Sequence, residues 1–126
     1  MCILFAEDEP LIHMIAVEGL QEAGLEVAEA ATGDQALDLI QTSDHQFTAL
    51  VTDFHMPGAD GSEVAAAMRK AWPHIPVIIA TGRPDCFQPQ WNDRLGYHLL
   101  VKPYTSRQLV DVVHTMLEKT NPGKFA

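Results

Sequence analysis

The sequence predicts an α/β domain built on a parallel sheet. Five short runs of aliphatic and β-branched residues recur along the 126 residues, and stretches with helical apolar spacing separate them. This alternation favours parallel pairing, since the chain needs a crossover helix to return to the same edge of the sheet. The predicted strands are Cys2–Ala6, Leu25–Ala30, Ala49–Thr52, Val77–Ala80 and Leu99–Val101.

The first two helices have clear start signals. Pro10 suits a first helical turn because its φ is fixed, and Gly24 ends that helix. The second begins at the capping box Thr32-x-x-Gln35, whose side chains satisfy unpaired backbone N–H groups. The apolar spacing of the first helix predicts one buried stripe of Ile12, Ile15, Ala16, Gly19, Leu20 and Ala23.

The later helices differ in how strongly they are signalled. The segment 60–63 is a looser start signal for the third, and Thr105-x-x-Gln108 is a capping box for the last. Between the fourth and fifth strands, Pro84 and Pro89 each remove a backbone donor. We therefore expect a short or irregular fourth helix there.

Composition limits the domain count and the class of partner. The chain is long enough for one domain, predicted over residues 1–120 with a short tail at 121–126. Its net charge is −9 and its eight Lys and Arg residues are scattered, which disfavours direct DNA binding. The two cysteines form no disulfide framework, and we find neither a secretory signal nor an apolar run long enough to insert into a membrane. A cytoplasmic location is expected.

Chemically distinctive residues follow the predicted strands. Glu7 and Asp8 follow the first strand, Asp53 the third, Thr81 the fourth and Lys102 the fifth. In an open parallel sheet the ligand crevice lies outside the carboxyl ends of the strands, so these residues should converge. Three carboxylates brought together repel unless a cation neutralises them, and their oxygens suit Mg²⁺. An ionised Asp beside Mg²⁺, a Lys ammonium and a Thr hydroxyl can accept a phosphoryl group.

Each of these residues also has an ordinary interpretation. Glu7 and Asp8 could be acids favoured by the dipole of a first helical turn, and Asp53 could be a turn residue. Thr81 and Lys102 could belong to a turn and to a solvated strand end. Their joint occurrence at the correct ends of successive strands favours phosphoryl transfer to Asp53.

Four blocks of the sequence match the motifs of a known family. The blocks are Glu7–Pro10, Val51–Gly61, Ile75–Gly82 and Val101–Tyr104. With them the chain resembles the receiver domains of bacterial two-component response regulators over nearly its whole length. The resemblance implies a CheY-like, flavodoxin-like fold, with a doubly wound five-stranded parallel sheet in the strand order 2-1-3-4-5.

The resemblance also implies a reaction and a metal. Asp53 would accept a phosphoryl group from a phosphohistidine of a sensor histidine kinase or a histidine phosphotransfer protein. Asp8 and Asp53 would bind Mg²⁺ directly, Glu7 would assist through water, and the backbone carbonyl of His55 would supply another oxygen.

The resemblance assigns further roles near the fifth strand, where the sequence also departs from the family. Lys102 would pair with the phosphoryl group, Thr81 would hydrogen-bond to it, and Pro103 would follow a cis peptide bond. The usual switch aromatic is replaced by Leu99, and the nearest aromatic residue, Tyr97, is out of register. Coupling from threonine to tyrosine therefore cannot be carried over unaltered.

Other features resemble an atypical, often single-domain, alphaproteobacterial subgroup of receivers. These are the segment 80–82 and the proline-interrupted region after it. We hypothesise that phosphorylation orders residues 82–95, since a loop with few helix signals has entropy to lose. The side chains of His55 and Arg83 should overhang the site.

The sequence is interpreted as a single-domain response regulator, not an enzyme, which signals by phosphorylation-dependent contact with a downstream protein target. One alternative is a phosphoryl shuttle or sink in a phosphorelay, and the sequence is equally compatible with a receiver taken from a longer chain. A second is a small phosphatase with an Asp nucleophile, although His55 stands where such enzymes carry a second acid. A third is an interaction domain without phosphoryl chemistry, which the intact set of site residues disfavours.

Overall fold

The structure is a computed structural model that describes residues 2–42, 47–86 and 96–120. Within these ranges five strands alternate with four α-helices and one short 3-10 turn, as the α/β prediction requires. The strands are β1 (Cys2–Ala6), β2 (Glu26–Ala30), β3 (Phe47–Asp53), β4 (Val77–Thr81) and β5 (Tyr97–Val101). The helices are α1 (Pro10–Glu22), α2 (Gly33–Thr42), α3 (Gly61–Ala71) and α4 (Ser106–Thr120).

The five strands form one parallel sheet in the order β2-β1-β3-β4-β5, which confirms the predicted topology. The order reverses between β1 and β3, because the chain leaves β1 for one edge of the sheet and returns to its other side. Ala6 pairs with both Ala30 and Thr52 across this centre, and Asp53 pairs with Ala80. The residues that follow β1 and end β3 therefore lie at one crevice.

Each face of the sheet buries its own core. Alternate residues of β1 point to opposite faces, so Ile3 and Phe5 lie in one core while Leu4 and Ala6 lie in the other. The first core includes buried residues of α1 and α4, and the second includes buried residues of α2 and α3. All five residues of β1 are buried, as expected for a central parallel strand covered on both faces.

The predicted start signals are confirmed at α2, α3 and α4. The Oγ1 atoms of Thr32 and Thr105 accept hydrogen bonds from backbone N–H groups three residues later, each at 3.1 Å. Asp60 and Glu63 form a reciprocal capping box that begins α3. Gly24, two residues after the end of α1, adopts φ +85°, a conformation that glycine reaches without a steric penalty.

The buried stripe predicted for α1 is wrong at Ile15, whose surface is 48% exposed. The core-facing arc instead includes Ala16, Val17 and Leu20. Ile15 lies five residues before Leu20, which is about 140° around the axis of an α-helix, so its side chain points away from the sheet.

The region between β4 and β5 contains a single 3-10 turn, Pro84–Cys86, in its described part. Most of the predicted short fourth helix, and most of the segment hypothesised to become ordered, lies at residues 87–95, outside the described residues. The predicted tail at 121–126 is also outside them. No helix in the described part of the chain is long and apolar enough to cross a membrane.

Candidate functional site

The carboxyl ends of the strands bring two acids and a lysine together. The Lys102 ammonium lies 2.8 Å from Glu7 Oε1 and 3.0 Å from Asp53 Oδ2, although these residues come from three separate parts of the chain. Glu7 is 2% exposed and Asp53 is 6% exposed. One cation therefore bridges two buried carboxylates. The arrangement exists only in the folded sheet, because each carboxylate comes from a different strand region and the lysine from a third.

Asp8 completes a cluster of three carboxylates. Glu7, Asp8 and Asp53 each offer one oxygen, and these oxygens lie within 4.8 Å of one another. In an octahedral Mg²⁺ site with bonds of about 2.1 Å, neighbouring ligand oxygens are about 3 Å apart and opposite ones about 4.2 Å apart. The bound of 4.8 Å is slightly wider than this shell, and the all-oxygen donor set is the one that Mg²⁺ prefers. Asp8 is exposed while the other two acids are buried, so the cluster opens to solvent on the Asp8 side.

Hydrogen bonds to the backbone fix the position of Glu7 in this cluster. The Glu7 N–H donates to the carbonyl of Ala30 at 3.1 Å, which continues the pairing of β1 with β2 by one residue. Glu7 Oε2 then accepts a hydrogen bond from the Glu9 N–H at 3.2 Å. The Glu7 carboxylate is thus held between Lys102 and the chain that enters α1.

The two buried carboxylates have opposite pKa shifts. Burial raises the pKa of Asp53 to about 7, and the hydrogen bond and charge of Glu7 add to that increase while Lys102 opposes it. Burial also acts to raise the pKa of Glu7, but hydrogen bonds from Lys102 and Asp53 outweigh burial, so that pKa lies below its usual value. Near neutral pH the metal-free pair therefore tends to hold one proton, on Asp53.

Lys102 and Tyr104 keep fixed charge states beside these acids. Burial acts to lower the pKa of Lys102, but its hydrogen bonds to Glu7 and Asp53 outweigh burial. The pKa of Lys102 therefore lies above its usual value, and the ammonium stays charged. Burial, followed by the charges of Glu7 and Asp53, raises the pKa of Tyr104, so the phenol stays neutral. The peptide bond between Lys102 and Pro103 is cis, as predicted.

The loop after Asp53 is attached at both ends. The Phe54 N–H donates to the Ala80 carbonyl at 2.9 Å, and the Gly61 N–H donates back to the Phe54 carbonyl at 2.8 Å. A Cβ at Gly61 would stand 2.6 Å from the Asp53 carbonyl oxygen, so this close approach requires glycine. The His55 ring is exposed and packs edge-on against Phe54, while the proposed role of its carbonyl as a metal ligand stays a prediction.

Thr81 is fully buried at the end of β4, one strand away from Asp53. Its Oγ1 accepts a hydrogen bond from the Arg83 N–H at 3.0 Å. Tyr97, by contrast, lies at the opposite end of β5 from Lys102, and its ring stacks under the guanidinium of Arg69 with 4.5 Å to the ring centroid. The structure therefore keeps Tyr97 away from the site, as its register predicts.

Sequence reasoning missed an apolar surface beside this site. Leu11, Met14 and Ile15 are 59%, 57% and 48% exposed and share the outer face of the first turns of α1. We name these three residues the α1 patch. The signal was present in the sequence, since apolar residues at spacings of three and four form a second stripe beside the buried one.

Comparison with known proteins identifies the family of this chain. The model of the response regulator receiver domain family matches residues 3–114. The sensor kinase CckA of Brucella abortus is 34% identical over 118 residues, which cover 93% of this chain and 12% of the kinase. The response regulator receiver protein CpdR of Brucella abortus is 31% identical over 121 residues, which cover 91% of this chain and 95% of CpdR. The chain thus spans a small part of the kinase and nearly all of CpdR.

Solved structures have the same fold. The receiver domain of the hybrid histidine kinase CckA superposes with a TM-score of 0.78 at 30% identity, covering 93% of this chain and 99% of that one. The chemotaxis response regulator CheY4 of Vibrio cholerae superposes with a TM-score of 0.77 at 28% identity, covering 91% and 97% of the two chains. The predicted CheY-like, flavodoxin-like fold is confirmed.

Proposed function

The chain belongs to the family of response regulator receiver domains, and from that premise we propose that Asp53 accepts a phosphoryl group from a phosphohistidine. The observation that carries the proposal is the buried Asp53 carboxylate, held 3.0 Å from the Lys102 ammonium beside two further acids. The donor is a sensor histidine kinase or a histidine phosphotransfer protein.

The proposed transfer exchanges one bond to phosphorus for another. A carboxylate oxygen of Asp53 bonds to phosphorus while the phosphorus–nitrogen bond of the donor histidine breaks. The electron pair of that bond stays on the imidazole nitrogen, which takes up a proton. Lys102, already in contact with Asp53, offers its ammonium to the transferred oxygens. The Thr81 hydroxyl, which donates to the Arg83 carbonyl at 3.5 Å, turns to donate to one of those oxygens.

Glu7, Asp8 and Asp53, with the His55 carbonyl, would hold Mg²⁺ in this proposal. Bound there, Mg²⁺ would supply positive charge that offsets the charge of the phosphoryl oxygens. The fit rests on the all-oxygen donor set and on the raised pKa of Asp53, because burial and then the neighbouring Glu7 disfavour the ionised acid in the metal-free protein, and a bound cation would favour it.

The Mg²⁺ affinity of the protein is expected to rise with pH and to level off above about pH 7. In the metal-free protein the pKa of Asp53 is raised to about 7, so below that pH Mg²⁺ must displace a proton from it. The dissociation constant should increase by up to about tenfold for each pH unit below 7. Calorimetric titration with Mg²⁺ between pH 5.5 and 8.5 measures this, and a constant affinity across that range would contradict the expectation.

The α1 patch is the proposed docking surface for the phosphoryl donor. Its three residues lie in the first two turns of α1, and α1 begins three residues after Glu7. A partner that covers exposed apolar side chains here gains hydrophobic contact while its phosphohistidine faces Asp53.

Met14→Glu and Ile15→Glu are each expected to slow phosphoryl transfer from a protein donor by about tenfold or more, because a charge replaces apolar contact. Labelling by acetyl phosphate, which needs no docking surface, should stay at the wild-type rate. Both rates are measured with a phosphorylated histidine kinase that labels the wild-type protein. Gln21→Glu adds the same charge at an exposed position of α1 outside the patch and is the matched control. Equal losses with both donors would instead mean that the site itself is damaged.

The experiment that tests the proposed function is the intact mass of the protein after incubation with acetyl phosphate, with Mg²⁺ or with a chelator. We expect one phosphoryl adduct that requires Mg²⁺ and is removed by hydroxylamine. An enzyme of the phosphatase class would instead release phosphate from a small ester over many turnovers. Failure of both acetyl phosphate and histidine kinase donors would leave the phosphorylation-independent interaction domain as the alternative.

We propose that the output is a contact with a downstream protein, with no direct DNA binding. The support is the composition, since basic residues are few and scattered. A phosphoryl shuttle or sink is distinguished by a second transfer, in which the aspartyl phosphate labels a histidine of another protein. A cytoplasmic location stays a prediction.

A further inference from the structure

His13 joins the acidic site to the edge of the sheet. Its Nδ1 lies 2.9 Å from the backbone carbonyl oxygen of Glu7, and its Nε2 lies 2.8 Å from Glu29 Oε1. Its ring also packs edge-on against Phe5, with 5.3 Å between the ring centroids. The side chain of His13 is 15% exposed, and its orientation is restricted by Phe5 of β1, by Glu7 directly after β1 and by Glu29 of β2.

Both hydrogen-bond partners of this ring are acceptors. A backbone carbonyl only accepts hydrogen bonds, and the Glu29 carboxylate presents an oxygen in the same way, so each ring nitrogen of His13 faces one oxygen. The ring is therefore held at both nitrogens, by the Glu7 carbonyl on one side and by Glu29 on the other. Glu29 is thus matched to this arrangement, although its own side chain is half exposed.

The carbonyl that His13 holds belongs to the peptide unit between Glu7 and Asp8. A peptide unit is planar, so fixing the Glu7 carbonyl also fixes the plane from which the Asp8 side chain leaves the backbone. The Glu7 carboxylate has its own contacts with Lys102 and the Glu9 N–H, whereas the Asp8 carboxylate is exposed on the open side of the cluster. The orientation of Asp8 therefore depends on its backbone.

We propose that His13, held by Glu29, is a positioning residue that orients the Glu7–Asp8 peptide for Mg²⁺ binding. The inference rests on the proposed function, because it assigns His13 to the same metal site. His13 acts through the backbone of Glu7 and touches neither Mg²⁺ nor the phosphoryl group. Substitutions of groups that orient metal ligands commonly weaken metal binding by about 10- to 100-fold.

The test is the Mg²⁺ dissociation constant of purified variants, measured by calorimetric titration. His13→Ala should weaken Mg²⁺ binding by about tenfold, and Glu29→Ala by a smaller factor. His13→Arg, which can donate to both acceptors, should recover most of the affinity, and Glu29→Gln, which keeps an oxygen acceptor, should stay close to the wild type. Gln21→Ala is the matched control, since Gln21 lines one cleft together with His13 and Glu29 and lies about two helical turns further along α1 than His13.

A second measurement separates positioning from general damage. At saturating Mg²⁺ the labelling rate of His13→Ala should return to within about twofold of the wild-type rate, because Mg²⁺ binding then selects the oriented peptide. The His13→Ala/Glu29→Ala double variant should bind Mg²⁺ no more weakly than His13→Ala, because Glu29 acts through His13.

The outcomes distinguish this inference from the proposed function. A wild-type protein that neither binds Mg²⁺ nor is labelled would overturn both. A wild-type protein that does both, with a His13→Ala variant whose Mg²⁺ affinity is unchanged, would overturn the role of His13 alone. If His13→Ala does not fold, His13→Phe keeps a ring against Phe5 but has no donor, and an unchanged affinity in that variant would overturn the proposal equally.

Discussion

Replacing Asp53 with asparagine is expected to abolish labelling of the protein by acetyl phosphate. Asparagine has nearly the same shape but a neutral amide that does not attack phosphorus, so the rate should fall by more than about 10³-fold. Intact mass at saturating Mg²⁺ measures the loss. Asp38→Asn, at an exposed position on α2, makes the same chemical change away from the site and should be labelled like the wild type.

Persistent labelling of Asp53→Asn at the wild-type rate would place the phosphoryl group on another residue. Tryptic mapping of the adduct would then identify that residue. A stable, folded Asp53→Asn variant is needed for either conclusion, and the structure predicts one. Burial raises the pKa of Asp53 to about 7 from an ordinary value of 3.8, so its ionised form costs stability in the metal-free fold.

The size of this stability effect depends on pH. Because the folded pKa of Asp53 lies above the unfolded one, the fold favours the protonated acid, and stability is lost as pH rises from about 4 towards 7. Without Mg²⁺, Asp53→Asn should therefore raise the melting temperature at pH 8 and leave it nearly unchanged at pH 4. Mg²⁺ should reduce the difference at pH 8, since it stabilises the ionised wild-type acid.

Replacing Lys102 with methionine is expected to produce the largest loss of stability among these variants. Lys102 Nζ lies 2.8 Å from Glu7 and 3.0 Å from Asp53, and methionine fills a similar volume without the charge. Two buried carboxylates then lose their shared cation, a change that costs about 3 kcal/mol. For a chain of this length the melting temperature should fall by about 10 °C in the absence of Mg²⁺.

The loss should depend on pH because it comes from the ionised acids. Burial acts to raise the pKa of Glu7, but the hydrogen bond from Lys102 helps to hold that pKa below its usual value. The stability that Lys102 gives through Glu7 is therefore present above about pH 4.5 and disappears as pH falls through the folded pKa of Glu7. Thermal denaturation at pH 8 and pH 4 measures the difference. Lys70→Met, at an exposed lysine of α3, is the matched control and should change stability little at either pH.

A double variant tests the physical reason. Adding Asp53→Asn to Lys102→Met removes one of the two uncompensated charges, so the double variant should be more stable at pH 8 than Lys102→Met alone. An equal or larger loss in the double variant would mean that Lys102 stabilises the fold through packing of its aliphatic stem. In either case Lys102→Met should be labelled slowly, because its ammonium is proposed to contact the transferred oxygens.

Much of this fold follows from local sequence signals. The alternation of apolar runs and helical spacing predicts five strands separated by helices, as observed. Two capping-box patterns and one looser start signal predict where α2, α4 and α3 begin, and a side-chain cap is present at each of these starts. These signals are local, since a capping threonine or a buried strand is recognised from a few neighbouring residues. The strand order and the cis bond before Pro103 came from the family resemblance, and the structure confirms both.

The site residues were predictable for a similar reason. In a parallel sheet, residues that end successive strands meet at one edge, so Glu7, Asp53 and Lys102 could be grouped before any distance was known. The effect of these residues on one another's pKa values could not be predicted in this way. The opposite pKa shifts of Glu7 and Asp53 depend on burial and on which oxygen faces the ammonium.

The sequence by itself determined the fold class, the family and the position of each chemically distinctive residue along the chain. Tertiary structure decided which face of α1 meets the core, and thereby exposed Ile15, because a helix with apolar residues on two stripes can bury either. It also decided that His13 lies between Glu7 and Glu29, which are 22 residues apart in the chain and are brought together by the pairing of β1 with β2. Such contacts are set by strand pairing and helix packing over long sequence separations, for which no local pattern of residues is a sufficient signal.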